Sequence, residues 1–84
     1  MPYIKAKDRK KLDMTIDLLS DKIETGGEFN YVISRLAIDF SKQLGNNYKA
    51  FSDAISTMEC AKLEFYRKCV APYEDIKEKE NGKL

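Results

Sequence analysis

The sequence has no histidine, only two cysteines and two prolines, almost no net charge and no long apolar run. The missing histidine removes the usual zinc sites, the histidine-dependent catalytic triads and imidazole acid–base chemistry. Two cysteines cannot make a disulfide framework. Cys60 and Cys69 stand nine residues apart, which on one helix puts them on opposite faces, unable to pair or to share a metal. Fifteen basic residues against fourteen acidic ones leave a formal charge of +1, short of the basic excess of a general nucleic-acid binder. No apolar segment approaches the roughly 20 residues of a membrane span. The basic N-terminus also lacks the apolar stretch of a signal peptide. Free cysteines without an export signal fit a reducing cytosol. The expectation is a cytoplasmic protein with no membrane partner, no metal and no cofactor.

What is present points to helices. Eighty-four residues make a single domain, 1–84, whose own core is marginal and supplies only about 3–5 kcal/mol. With disulfides and zinc set aside, association with copies of itself is the remaining supplement. Charge is unevenly placed: Lys5, Lys7, Arg9, Lys10 and Lys11 crowd the start against Asp8 alone.

In chain order, residues 1–6 read as a short extended arm, either packed on a neighbouring subunit or a free end. From about Asp8 to Thr25, Leu12, Ile16, Leu19 and Ile23 recur at +4, +3 and +4 and predict one helix. Gly26 and Gly27 are expected to stop it. A second helix is expected from Gly27 or Glu28 to Leu44, with Gly45 as its C-terminal cap. Its apolar face is wide, built from Phe29, Val32, Ile33, Leu36, Ala37 and Phe40. Either Asn46 or Asn47 then caps a third helix starting near Tyr48. Phe51, Ile55, Met58, Phe65 and Cys69 fall at helical spacing along it, with Lys62 in line. A lysine there either reaches out to solvent or is buried opposite an acid. Leu63, Tyr66 and Val70 open a second apolar face, which suits a subunit interface. Pro72 is expected to end or kink the helix near Ala71. The charged remainder, 76–84, reads as a partly frayed tail that can form one more helical stretch. The expected fold is therefore all-α: three main helices and an extended N-terminal arm, assembling as a homo-oligomeric helical bundle.

Three stretches together carry a resemblance: Pro2-Tyr3-Ile4-Lys5, then Gly27-Glu28-Phe29-Asn30-Tyr31, then Glu59 to Arg67 with Ala71-Pro72-Tyr73-Glu74-Asp75. The chain resembles, over almost its whole length, a family of short, functionally unassigned proteins found in bacteria, archaea and phages. Phe29 stands where that family leads one to expect leucine, and it keeps the position apolar. The resemblance supplies no activity. Its phage members imply a small accessory or anti-defence role.

The chemistry is narrowed to a few groups, each with an ordinary alternative. The glycine pair leaves N–H groups at a helix start, which is either a generic anion site or a plain interhelical turn. The lysine and hydroxyl residue of a P-loop are missing. Glu28 complements the helix dipole and would repel an anion there, yet its carboxylate can accept hydrogen bonds from a base or ribose. Glu28, Tyr31 and Arg35 share one helical stripe. Tyr31, Tyr66 and Tyr73 can stack on a base while Arg35 and Arg67 hold phosphate; otherwise they are packing tyrosines and surface cations. Tyr66 and Arg67, being adjacent, point about 100° apart on a helix. Glu28, Glu59, Glu64 and Asp75 are either magnesium ligands or solvated, salt-bridged acids. The two thiols read as buried and structural.

The candidate ligand-binding set is Tyr3, Lys5, Glu28, Asn30, Tyr31, Arg35, Tyr66 and Arg67, with no catalytic residue. The function expected from it is non-catalytic binding of an anionic, nucleotide-like small molecule between subunits, as in sequestration of a signalling nucleotide. The alternatives are a magnesium-dependent all-α nucleotide hydrolase and a protein-interaction module without a small ligand.

Overall fold

The computed structural model describes residues 4–84 and is all-helical, with no strand among the described residues. A 3-10 turn, Ala6–Asp8, precedes α1 (Lys10–Ser20); then come α2 (Gly26–Gln43), α3 (Tyr48–Phe65), a π turn (Tyr66–Val70) and α4 (Ala71–Asn81). The chain divides into two compact parts, one ending at Phe51 and the other running from Ser52 to Leu84.

In the first part, residues 1–3 of the expected arm lie outside the described residues. Lys5 is extended, with φ −67° and ψ 150°, and the Arg9 guanidinium donates to the Ile4 carbonyl at 3.3 and 3.4 Å. Ala6 already belongs to the 3-10 turn.

The first helix is shorter than its apolar spacing predicts, ending at Ser20 rather than Thr25. The cause is a capping box at the start of α2. Thr25 is extended, φ −131° and ψ 160°, and its Oγ1 accepts from the Glu28 N–H at 3.1 Å. Glu28 Oε1 in turn accepts from the Thr25 N–H at 3.2 Å and the Glu24 N–H at 2.7 Å. These bonds satisfy N–H groups that a helix start leaves open, and they hold Glu24 and Thr25 out of any helix. Gly26 and Gly27 therefore open α2 instead of closing α1.

The end of α2 follows the sequence. Gly45 takes φ +103°, a left-handed conformation that suits glycine, and the Asn46 N–H closes back onto the Ser41 carbonyl at 2.8 Å. Asn47, not Asn46, caps α3: its Oδ1 accepts from the Ala50 N–H at 3.0 Å. Asn46 itself sits at φ 55°.

In the second part, Pro72 neither ends the helical run nor stands at its break. The π turn is closed by the Ala71 N–H on the Tyr66 carbonyl, five residues back. Pro72 thereby falls in the first turn of α4, where a missing N–H costs little. Helix continues through Asn81, so Ile76 to Asn81 of the expected tail is helical and only 82–84 lie beyond it.

Burial inverts the expected core. The buried residues among those described are small: Ser41, Ala50 at 1% exposure and Ala54 at 6%. The large apolar residues assigned to helix faces are exposed, including Ile16 on α1, Phe29, Leu36 and Phe40 on α2, and Phe51, Ile55 and Phe65 on α3. Leu19, Ile23 and Val32 are half-buried. Covering one such large side chain stabilises by about 1.5–3 kcal/mol, so these faces hold most of the chain's undrawn hydrophobic stabilisation.

Candidate functional site

On α2 the structure brings together Tyr31, Arg35 and Asp39, spaced four apart on one face. Arg35 Nη1 donates to the Tyr31 hydroxyl at 3.0 Å, and the guanidinium carbon lies 5.9 Å from the Tyr31 ring centroid. Asp39 is a looser partner, its Oδ2 standing 3.9 Å from Arg35 Nη2. The hydrogen bond to Tyr31, and after it the fields of Tyr31 and Asp39, raise the guanidinium pKa further. Arg35 is an exposed cation set beside a phenol. A guanidinium so placed keeps donors for a phosphate or carboxylate, and the ring keeps a face for stacking.

Glu28 does not join this group, although the spacing puts it on the same stripe. Its Oε1 is turned back onto the backbone at Glu24 and Thr25. Thr25, which sequence reasoning passed over, is the residue that explains Glu28, and the Thr-x-x-Glu spacing was the available signal. Asn30 is exposed on the first half of α2, and Lys5 is exposed ahead of the 3-10 turn. Tyr3 lies outside the described residues.

The second part of the chain holds the other two candidates, and there they diverge. The Tyr66 hydroxyl donates to Glu74 Oε1, reaching across the π turn towards α4. Arg67 Nη2 points the other way, to Glu64 Oε1 at 2.8 Å. The Glu74 carboxylate, by its hydrogen bond and then its charge, pushes the Tyr66 phenol above its ordinary pKa. Tyr73 carries Lys77 Nζ at 5.6 Å from its ring centroid, a contact the sequence reading did not name.

Of the four acids considered, Glu28, Glu59 and Glu64 are already engaged. Glu59 Oε1 lies 3.0 Å from Lys62 Nζ, Glu64 holds Arg67, and Glu28 caps a helix. Among the described residues, no three acidic or cysteine side chains gather where a metal ion could be held. The thiols are free, with Cys60 half-buried and Cys69 exposed, so Cys69 is not the buried structural thiol expected of it. No described helix is long and apolar enough to cross a membrane.

The arrangement places cations beside phenol rings and leaves apolar helix faces exposed. No curated protein and no solved structure shows significant similarity to the chain. The full length, residues 1–84, matches the family model described as a domain of unknown function, DUF6899, and the chain belongs to that family.

Proposed function

We propose that this chain is a non-catalytic binding module that works as a homo-oligomer and takes up an anionic, nucleotide-like small molecule between its subunits. The observation that carries the reading is the inverted burial: alanines and a serine are covered while the large apolar residues of α1, α2 and α3 stand open. Helices stay folded in water mainly by covering an apolar face, and a second subunit supplies that cover. Such a chain is complete only in its assembly.

The ligand half of the reading is supported by the Tyr31–Arg35 pair. Neither side chain is needed for a core, and together they present a stacking face and a phosphate-binding fork. An assembly that binds such a ligand without turning it over acts by sequestration. For a phage protein, a signalling nucleotide of the host's defence is the target that makes sequestration useful.

Sedimentation velocity combined with nucleotide titration tests both halves. The expected result is a species that is a multiple of the 9.7 kDa chain and that binds a nucleotide recovered unchanged after heat denaturation. A monomer at hundreds of micromolar overturns the reading. Recovery of a hydrolysed product replaces it with the hydrolase, and an assembly that retains no nucleotide replaces it with a protein-interaction module.

A further inference from the structure

The part of the chain from Ser52 to Leu84 contains the remainder of α3, the π turn and α4. Its large apolar residues recur at helical spacing. Ile55, Met58, Lys62 and Phe65 follow one another at +3, +4 and +3, the alternation that keeps a seam facing a neighbouring helix. A π turn takes one extra residue into the helix. Val70 and Tyr73 therefore continue this line where Cys69 and Pro72 otherwise would, and Val70 is half-buried while Cys69 is exposed.

We propose that this α3 seam docks against the same seam of a second copy of the chain, antiparallel, about a two-fold axis beside Cys60. The proposal rests on the homo-oligomer reading above and names its surface. Ile55 is 64% and Phe65 53% exposed, whereas the covered residues of this helix are Ala50 and Ala54. The open side is the one with the large side chains.

Charge selects the occupant and its direction. Lys62 stands in line with the seam, paired to Glu59 at 3.0 Å, and both side chains are more than half exposed. A lysine covered by an unrelated apolar partner would be left with one solvent-side acid and a desolvated charge. A parallel second copy would set two Lys62 side chains side by side. In the antiparallel arrangement Ile55 faces Phe65 of the second copy and Met58 faces its Lys62. Each Lys62 then lies between its own Glu59 and the second copy's Glu59. Two cations and two anions close a neutral quartet at the axis, and an isologous contact repeats it by symmetry. A single polar position of this kind fixes register in helical seams.

The test uses the full chain. Sedimentation velocity is run on wild type, Lys62→Glu, Glu59→Lys and the double swap, with helicity followed by circular dichroism. Each single change gathers four like charges at the axis and is expected to weaken self-association by about tenfold or more. The double swap restores the alternation and is expected to return it to within about threefold of wild type. A second measurement needs no variant. Carbodiimide cross-linking of mixed isotope-labelled and unlabelled wild-type chains should give a mixed-isotope Glu59–Lys62 link. A wild type that self-associates while every variant does so equally overturns the seam and leaves the homo-oligomer reading standing. Single variants that weaken association without rescue by the swap, or cross-links that are only same-isotope, also overturn it. A monomeric wild type removes both readings.

Discussion

Thr25→Ala separates two jobs that the start of α2 can be given. The substitution removes the Oγ1 that accepts from the Glu28 N–H at 3.1 Å and leaves the backbone otherwise intact. Losing a threonine cap costs about 1 kcal/mol, within a range of about 0.5–2. An unfolding entropy of about 2.1 cal/mol/K per residue over 84 residues gives about 0.18 kcal/mol/K, so Tm should fall by about 6 °C. Glu28→Ala should cost a similar amount, because two N–H groups lose their acceptor. Glu28→Gln is the informative variant. Glutamine keeps an acceptor oxygen at the third helical position and gives up only the charge–dipole contribution, about 0.3–1 kcal/mol. If Glu28 is a cap, Glu28→Gln loses little Tm and leaves nucleotide affinity unchanged. If Glu28 instead contacts a ligand through its charge, Glu28→Gln keeps its Tm and loses affinity. Thermal denaturation at one fixed chain concentration, paired with calorimetric titration, reads both quantities. A Tm unchanged in both Thr25→Ala and Glu28→Ala refutes the capping argument.

Gly45→Ala should destabilise by about 1 kcal/mol or more, since φ is +103° and a Cβ there meets Asn47 Nδ2 at 3.3 Å; denaturant titration checks it. Arg35→Ala should leave Tm nearly unchanged, because its partners are exposed, while lowering affinity for a phosphorylated nucleotide by about 1.5–3 kcal/mol by calorimetry; equal affinity removes Arg35 from the site. Ultraviolet titration should show one tyrosine ionising above the ordinary value of 10.0, absent in Tyr66→Phe. The sign follows from the raised value: the Tyr66–Glu74 contact contributes fully below the unfolded tyrosine pKa and is lost as pH rises through the folded one.

The sequence states its local punctuation clearly and its long-range cover hardly at all. Gly45 is legible, and the cap of α3 is legible down to Asn46 or Asn47, because a left-handed turn and a side-chain cap each depend on one residue's own chemistry. The end of α1 is not legible from periodicity, for a related reason. Ile23 continues the apolar spacing of Leu12, Ile16 and Leu19, but four apolar residues do not outweigh Glu24 and Thr25 being held by Glu28. Periodicity groups Phe51, Ile55, Met58 and Phe65 on one face, but the π turn moves Cys69 off it. Periodicity is silent on whether that face meets the same chain or another. Ala50 and Ala54 are buried in their place, and alanine weighs too little in an apolar pattern to announce a contact.

The candidate site divides along the same line. Tyr31 and Arg35 are legible together because a spacing of four brings side chains together on any α-helix, and the structure joins them. Asp39 stands four further on, and the same rule reaches it. Tyr66 and Glu74 are eight apart, and whether they meet depends on how many residues the intervening turn takes. That count is set by the π turn, whose only trace in the sequence is Pro72 just after it. A proline read alone announces a break; read with a helix-forming run on both sides, it announces that the backbone must release one hydrogen bond nearby. Here the release occurs between Tyr66 and Ala71, before the proline. Tyr66 and Arg67, which adjacency alone sets about 100° apart on a helix, engage partners in opposite directions along it, Glu74 and Glu64. A ligand that engages one of them in this conformation must break an existing partner contact to engage the other. The Tyr31–Arg35 pair, already facing one way, asks no such rearrangement.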